Sequence, residues 1–567
     1  MPPLIIFAVA FGVYADSLAN QFVHDDMGQV VLNSFIRDFR FLPRLFATSI
    51  ASFPAKGQVM IKNNYYRPVM YLVYMIAYAV FGLRPWGFHL INVLLHGAAS
   101  VAVYFAARAI IKNLRGPVSN GDSWFSRAGA PFFSALIFAA HPIHTEDVAW
   151  VAAVPDIVYS LLLLLAFVVW AKYESIKGAL LSAALFFAAC FTKETALVLP
   201  LIFFLYDLCA KRLVKGPAGF FKDLLKRYAP LAAAIIVYLI MRLNALHGMA
   251  PQEHLKNLGG AALAANGLWL FSQYLYKLAL PLDLNAHHEF HPIKATDPRA
   301  FIALIAAVFF IICCYAAFRK KPVIFMGLVF IAAPILPVLY APVLGANVFA
   351  ERYLYLPVFG FSLIVSNAFA YLRERWKPSL VTALAAVLIA SYSYAAAVRN
   401  TVWKTSLSLW ADTVNKSPEA ALPNLNLGWE YLKEGKPGTA LPYLEVGIKG
   451  VPDYAIGHSL AGQALSALGR NDEALKEFLE AVRLDPGRYE AYGDVGALYA
   501  EKGDFQDAII YLDKSRELNP NSAGVYFNLG ELYLKTGRKD KAVENFRKAV
   551  SLDPGNPQYI AVLKSVQ

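Results

Sequence analysis

Residues 521–554 read NSAGVYFNLGELYLKTGRKDKAVENFRKAVSLDP, and their spacing decides the C-terminal part of the fold. Tyr526, Leu529, Gly530 and Tyr533 follow one another at helical spacing. So do Ala542, Phe546 and Ala549, before Pro554 stops the run. The same punctuation recurs upstream every 34 residues: Pro418, Pro452, Pro486, Pro520 and Pro554; Gly435, Gly469, Gly503 and Gly537; Ala440, Ala474, Ala508 and Ala542.

A 34-residue period of paired helices is the tetratricopeptide signature. It predicts four repeats over 419–452, 453–486, 487–520 and 521–554, with a C-terminal cap completing 419–567 and a linker helix over 399–418. The small residues are expected to let the two helices of each unit approach, and the prolines to end the second one. Such a solenoid has a concave face that binds extended polypeptide or partner proteins, but the fold itself names no ligand.

Upstream of Arg399 the composition changes. The whole chain is 58% hydrophobic with a mean hydropathy of +0.45, and apolar runs of membrane-spanning length fill residues 1–398. The net charge of +12 belongs to this part: from Arg399 onward 20 lysines and arginines meet 22 acids, leaving 32 basic against 18 acidic residues before it. Those basic residues lie in short loops between apolar runs, a positive-inside pattern rather than a nucleic-acid surface. The four cysteines lie in or beside apolar runs without metal-site spacing, so no disulfide framework is expected. The run from Leu4 to Leu18 has no charged leader and reads as a retained first helix.

If the basic clusters at 108–127, 172–177, 211–227, 319–321 and 373–377 all face the cytoplasm, an even number of crossings separates each from the next. About eleven spans satisfy this, with 68–83 and 263–280 lying in the interface or re-entering. The N-terminus is then inside and the repeats outside. The fold class is all-α: a polytopic membrane domain followed by an α-solenoid.

On this topology the polar residues gather on the non-cytoplasmic side. Asp25 and Asp26 open the first external loop, and two adjacent carboxylates there cost solvation and repulsion unless they have a role. His141, His144, Glu146 and Asp156 flank one helix break, Lys193 and Glu194 another, and Glu351 and Arg352 a third; Arg67 precedes the first interfacial helix. His144 and Glu146 could take a metal with His141, although a helix-end cap fits the same spacing. His287, His288 and His291 are a weaker metal candidate. Carboxylates for base work, cations for phosphate and a groove between helices suit chemistry on a lipid phosphate.

Phe22-Val-His-Asp-Asp26 with Asn33, Tyr66-Arg67-Pro68, Phe88-His89 through Asn92 to His96, His141-Pro-Ile-His-Thr-Glu146, Lys193-Glu194, Tyr206-Asp207 and Ala350 through Pro357 together resemble the transmembrane and tetratricopeptide-repeat O-mannosyltransferases, and more broadly the GT-C superfamily. The resemblance covers nearly the whole chain. With only four repeats and compact loops, the chain reads as a prokaryotic relative.

That resemblance implies an inverting transfer of one sugar, mannose, from a polyprenyl phosphate to a protein Ser or Thr hydroxyl. Asp25 or Asp26 would be the general base, with Asp25 favoured. Lys193, Arg352 and Arg67 would hold the donor phosphate. His89, His141, His144, Glu146, Asp156, Glu194 and Glu351 would line the sugar and acceptor pocket. The donor lipid and an acceptor polypeptide held by the repeats are the expected partners, with no nucleic acid, and a divalent metal is left open. The membrane would be the inner membrane in a prokaryote, with site and repeats periplasmic or extracellular, or that of the endoplasmic reticulum, with a lumenal site, in a eukaryote. Two rival readings are transfer to a glycan or lipid acceptor, and a non-catalytic scaffold or transporter carrying a repeat platform.

Overall fold

The computed structural model describes residues 1–48, 65–114, 129–212, 216–246, 259–339 and 348–566, of which 216–223 are described in backbone only. All regular structure among the described residues is helical. The chain divides into two compact units, Met1–Leu409 and Trp410–Gln567. Parts of the basic clusters at 108–127 and 211–227, and residues 49–64 after the acidic pair, lie outside the described residues.

Among the described residues, seven helices of the first unit are long and apolar enough to cross a bilayer: Pro2–Ala19, Pro85–Leu114, Val151–Lys172, Leu224–Leu246, Pro298–Lys320, Pro322–Leu339 and Pro378–Lys404. Other runs counted toward the expected eleven fold as shorter pieces, Ala130–Ala140 and Ile176–Cys190 among them. Pro68–Phe81 is 14 residues long, roughly 21 Å at 1.5 Å per residue, short of a hydrocarbon core of about 30 Å. Gly260–Ala279 has the length to span but carries Gln273 and Lys277, and Lys277 turns back to the carbonyls of Leu282 and Asp283.

The helix through Val151–Lys172 is the centre of this unit and is mostly buried, whereas Pro298–Lys320 turns Phe301, Ile305, Phe309 and Ile312 outward. An outward apolar face is what lipid requires of a peripheral span. Helices Pro322–Ile335 and Pro357–Arg373 touch backbone to backbone: a Cβ on Gly360 would meet the Gly327 carbonyl oxygen at 2.2 Å. This crossing fixes the start of the second helix, and with it the turn Glu351–Leu354 just before it.

The second unit is four helix pairs, 421–433 with 437–450, 455–467 with 471–484, 489–502 with 505–518 and 523–535 with 539–552, followed by the cap Pro557–Val566. Each second helix ends two residues before its proline. Ala440, Ala474, Ala508 and Ala542 are fully buried between helices, as expected of small residues at a close approach. The four periodic glycines do something else. Gly435, Gly469, Gly503 and Gly537 have φ of +70, +75, +85 and +74°, so they make the left-handed turn between paired helices. Close approach falls instead to Gly428, Gly462, Gly496 and Gly530, where an added Cβ would meet Leu444, Phe478, Leu512 and Phe546 at 2.6 to 2.7 Å.

Candidate functional site

The site is built where helices of the first unit are interrupted. Ala130–Ala140 stops because His141 precedes Pro142, and a residue before proline is driven to extended backbone. The chain then makes a short turn, Pro142–His144, one helical stretch, Thr145–Ala149, and an extended residue, Trp150, before the central helix starts at Val154. One side chain holds this irregular stretch: Asn92 donates to the carbonyls of Asp147, Val148 and Trp150, at 3.5, 3.5 and 3.0 Å. A polar anchor inside an apolar helix is the cost of a backbone that leaves the helix.

The first loop docks on the same stretch. Asp26 is fully buried and accepts from the backbone N–H of Val23 at 3.0 Å and of Ala152 at 2.8 Å. Burial pushes its carboxyl up to about 8, against the pull of those backbone bonds. Asp25 beside it is open, its side chain about half exposed and 3.3 Å from His24 Nδ1. The adjacent pair therefore divides: Asp26 pins the loop, and Asp25 faces outward with a free carboxyl edge.

His24 has φ of +52°, a left-handed conformation unusual for a residue with a Cβ. It lies flat on Trp150, which stacks in turn near Trp403 and receives the Arg352 guanidinium at 5.6 Å from its ring centre. Arg352 donates to Glu146 at 2.6 Å, and its backbone N–H meets the other oxygen of that carboxylate at 3.1 Å. Lys193 bonds directly to Asp156, and both are buried. Its ammonium lies 4.7 Å from the Tyr353 ring, the neighbour of Arg352. Burial lowers the Lys193 ammonium from its ordinary range, while Asp156 opposes that shift. Arg67 and Arg242 share Glu194 at 3.0 and 3.3 Å. The cations expected to meet a donor phosphate are thus preorganised, each already on a carboxylate.

The pocket residues separate into two groups. Glu146 and Asp156 lie among these cations, and Glu194 joins them through Arg67. His89, His141, His144 and Glu351 instead meet backbone groups of neighbouring segments. His89 Nε2 is 3.4 Å from the Gln21 carbonyl and steadies the start of the first loop. His141 uses both nitrogens on backbone, accepting from Ile143 N–H and meeting the Leu278 carbonyl at 3.3 Å; burial pushes its imidazole down to about 3, hence neutral. His144 Nε2 is 3.2 Å from the Tyr355 carbonyl, in a cage of His96, Phe138 and Tyr355 rings. Glu351 accepts from Asn285 N–H and faces His288 at 2.8 Å, tying down the histidine-rich segment.

No group of three His, Cys, Asp or Glu side chains that could hold a metal occurs among the described residues. Of the residues weighed for a metal, Glu146 is on Arg352 and His288 on Glu351, while His144 meets the Tyr355 carbonyl through Nε2 and keeps a buried Nδ1 without a partner. Sequence reasoning did not single out His24, Trp150, Arg242 or Asp147 as site residues. The run Glu146-Asp147 was the one available signal for the last of these. Tyr206-Asp207, by contrast, lies near the other end of the central helix, where Asp207 meets Trp170 Nε1, the Tyr228 hydroxyl, Arg212 and Arg227.

Residues 425–489, 489–522 and 523–556 match family models of the tetratricopeptide repeat, and this part of the chain is such an array. Over 97% of its length the chain is similar to protein O-mannosyl-transferase TMTC3 of Mus musculus, at 23% identity. Over 78% it is similar to protein O-mannosyl-transferase TMTC4 of Homo sapiens, at 26% identity. It covers 64% and 66% of those two proteins. Among solved structures, a thermophilic tetratricopeptide protein of Thermus thermophilus is 24% identical, with a TM-score of 0.27 over 28% of this chain and 88% of the other.

Proposed function

We propose that this chain is a glycosyltransferase that moves a single mannosyl residue from a polyprenyl phosphate to a Ser or Thr hydroxyl of a polypeptide, outside the cytoplasm. The observation that carries this reading is the division of the acidic pair. An open carboxylate, Asp25, stands on a loop fastened by a buried one, and the loop is joined through His24 and Trp150 to Arg352. Similarity to O-mannosyl-transferases over nearly the whole chain supports the same class.

In this mechanism Asp25 takes the proton of the acceptor hydroxyl as its oxygen attacks the anomeric carbon from the face opposite the phosphate. The bond from that carbon to the phosphate oxygen breaks, and configuration inverts. The phosphate leaves with the electron pair, its charge met by Lys193 and Arg352 and, further out, by Arg67. A low-dielectric setting with fixed charges strengthens that stabilisation. The tetratricopeptide array binds the acceptor polypeptide.

Incubating the purified chain with polyprenyl-phosphate mannose and an unfolded, Ser/Thr-rich acceptor tests this by product mass. Addition of one hexose per acceptor site is expected, and its loss on deleting the repeats identifies the acceptor as polypeptide. Transfer to a glycan or lipid acceptor that survives the deletion would replace the acceptor assignment; no transfer from any lipid-linked sugar would remove the enzymatic reading.

A further inference from the structure

The stretch from Thr145 to Trp150 has its backbone tied down and two of its side chains left open. Asn92 holds the carbonyls of Asp147, Val148 and Trp150, and the Thr145 hydroxyl donates to the Pro142 carbonyl at 2.6 Å. Yet both carboxyl oxygens of Asp147 are buried without a hydrogen-bond partner, and so is the indole N–H of Trp150. Asp147 itself is fully buried and Trp150 nearly so. A buried carboxyl and a buried N–H, each unsatisfied, are costly, and such groups are rare in native structures. Two of them three residues apart, on a backbone fixed by a third residue, make a carboxyl group and an N–H donor without partners in the protein.

Their neighbours give the chemistry. Asp156 and Glu146 are already matched with Lys193 and Arg352, so Asp147 is the odd acid of the cluster. Burial first, then Asp156 and Glu146, raise its carboxyl well above the ordinary range, which keeps a third negative charge away from the two cations. Arg352 lies over the same Trp150 ring whose N–H is open. A group occupying these sites is therefore uncharged, carries several hydroxyls, and lies next to an anion held by Lys193 and Arg352. We infer that Asp147 and Trp150 recognise the hydroxyls of a hexosyl ring, Asp147 through both carboxyl oxygens and Trp150 through its indole N–H. This rests on the reading of the site as one for a sugar lipid, and it names the residues that choose the sugar.

Calorimetric titration of the detergent-purified full chain tests it, with a polyprenyl phosphate bearing no sugar and the same lipid phosphate carrying mannose, glucose or N-acetylglucosamine. At least one sugar lipid should bind about tenfold or more tighter than the bare lipid phosphate, the scale of a buried hydrogen bond to a carboxyl. Asp147→Ala should erase that preference while leaving bare-lipid affinity within about twofold, because Lys193 and Arg352 keep their own carboxylates. Trp150→Phe also changes the ring under Arg352, so for it the readout is the ratio of sugar-lipid to bare-lipid affinity, which should fall toward one. Asp147→Asn, which keeps one acceptor oxygen and the shape, should give an intermediate preference and guards against a variant that fails to fold. Retention of the full sugar preference in these variants overturns the inference, as does equal weakening toward all four lipids, which would mark a packing role. Wild-type protein that binds all four lipids alike overturns the inference and leaves the lipid-phosphate donor standing. Failure to bind any of them removes the donor reading as well.

Discussion

His24 lies flat against Trp150, ring centres 5.3 Å apart and planes within 4° of parallel. This contact joins the acidic loop to the helix break that carries Glu146 and Asp147. It is made from a backbone with φ of +52°, where the Cβ crowds the following carbonyl at a cost of about 1–2 kcal/mol. Such a conformation persists only where surrounding contacts over-determine it, and the Trp150 stack is one of them.

Substitution at His24 separates the ring from the strain. His24→Gly relieves the backbone and loses the stack, His24→Asn tolerates the backbone and loses the stack, and His24→Ala loses the stack with the strain kept. Thermal midpoints should fall in the order Gly, Asn, Ala, while all three transfer sugar more slowly than wild type. An alanine variant as stable and active as wild type would show that the contact is incidental.

Asp25→Asn should abolish transfer by about 100- to 10,000-fold, the range for losing a general base, with the thermal midpoint unchanged. Asp26→Asn should act mainly on stability. It leaves one of two buried N–H groups poorly matched, a loss of about 1–3 kcal/mol. Turnover and melting measured on both variants check the division, and the opposite assignment of effects would reverse the two roles.

The pH dependence of Asp26 has a definite sign. Its folded carboxyl stands near 8, above the ordinary carboxylate value of about 4, so the folded state holds the proton longer than the unfolded chain. Its contribution to stability is fully present below about pH 4 and is lost as pH rises through about 8. Asp26→Asn removes this titration. The gap between wild type and variant should therefore narrow from pH 5 to pH 9 when melting is followed at each pH. A gap that stays level over that range would mean that the buried carboxyl is ionised throughout.

Much of this was readable in the residues. The 34-residue punctuation fixed the repeat array, because proline and glycine act locally and their spacing survives folding. The acidic pair was visible, since adjacent carboxylates beside an apolar run have few structural uses. What the chain hid was partner choice. Glu351 and the histidines at 89, 141 and 144 have the chemistry of a pocket, but backbone carbonyls and amides opened by helix breaks claim them first. Trp150 carried no signal, because its role depends on His24 and Arg352 arriving from positions 126 and 202 residues away.

Two glycines in the last repeat test how the solenoid is built. Gly530→Ala puts a Cβ 2.6 Å from the Phe546 ring, an overpacking cost of about 1–3 kcal/mol. Gly537→Ala meets nothing within 4 Å and suffers only from its φ of +74°, about 1 kcal/mol. Hydrogen exchange over residues 523–566 in the full chain should rise more for the first. Equal exchange in both would place the two glycines in the same role.

Lys193 and Asp156 are both buried, and neither has enough water to stand alone. Lys193→Met leaves Asp156 beside the already unmatched Asp147, and should cost about 3–5 kcal/mol, as removal of one partner from a buried pair does. Asp156→Asn leaves a buried ammonium next to Arg67 and Arg352, which already weaken its hold on the proton, so the lysine can answer by turning neutral. That escape makes the second substitution the milder one. The double variant should recover most of the loss in Lys193→Met, a positive coupling measured by a thermal cycle. Sugar transfer should not recover with it, because the phosphate of the donor has lost its cation. Recovery of both stability and transfer would remove Lys193 from the phosphate site and leave it a partner of Asp156 alone.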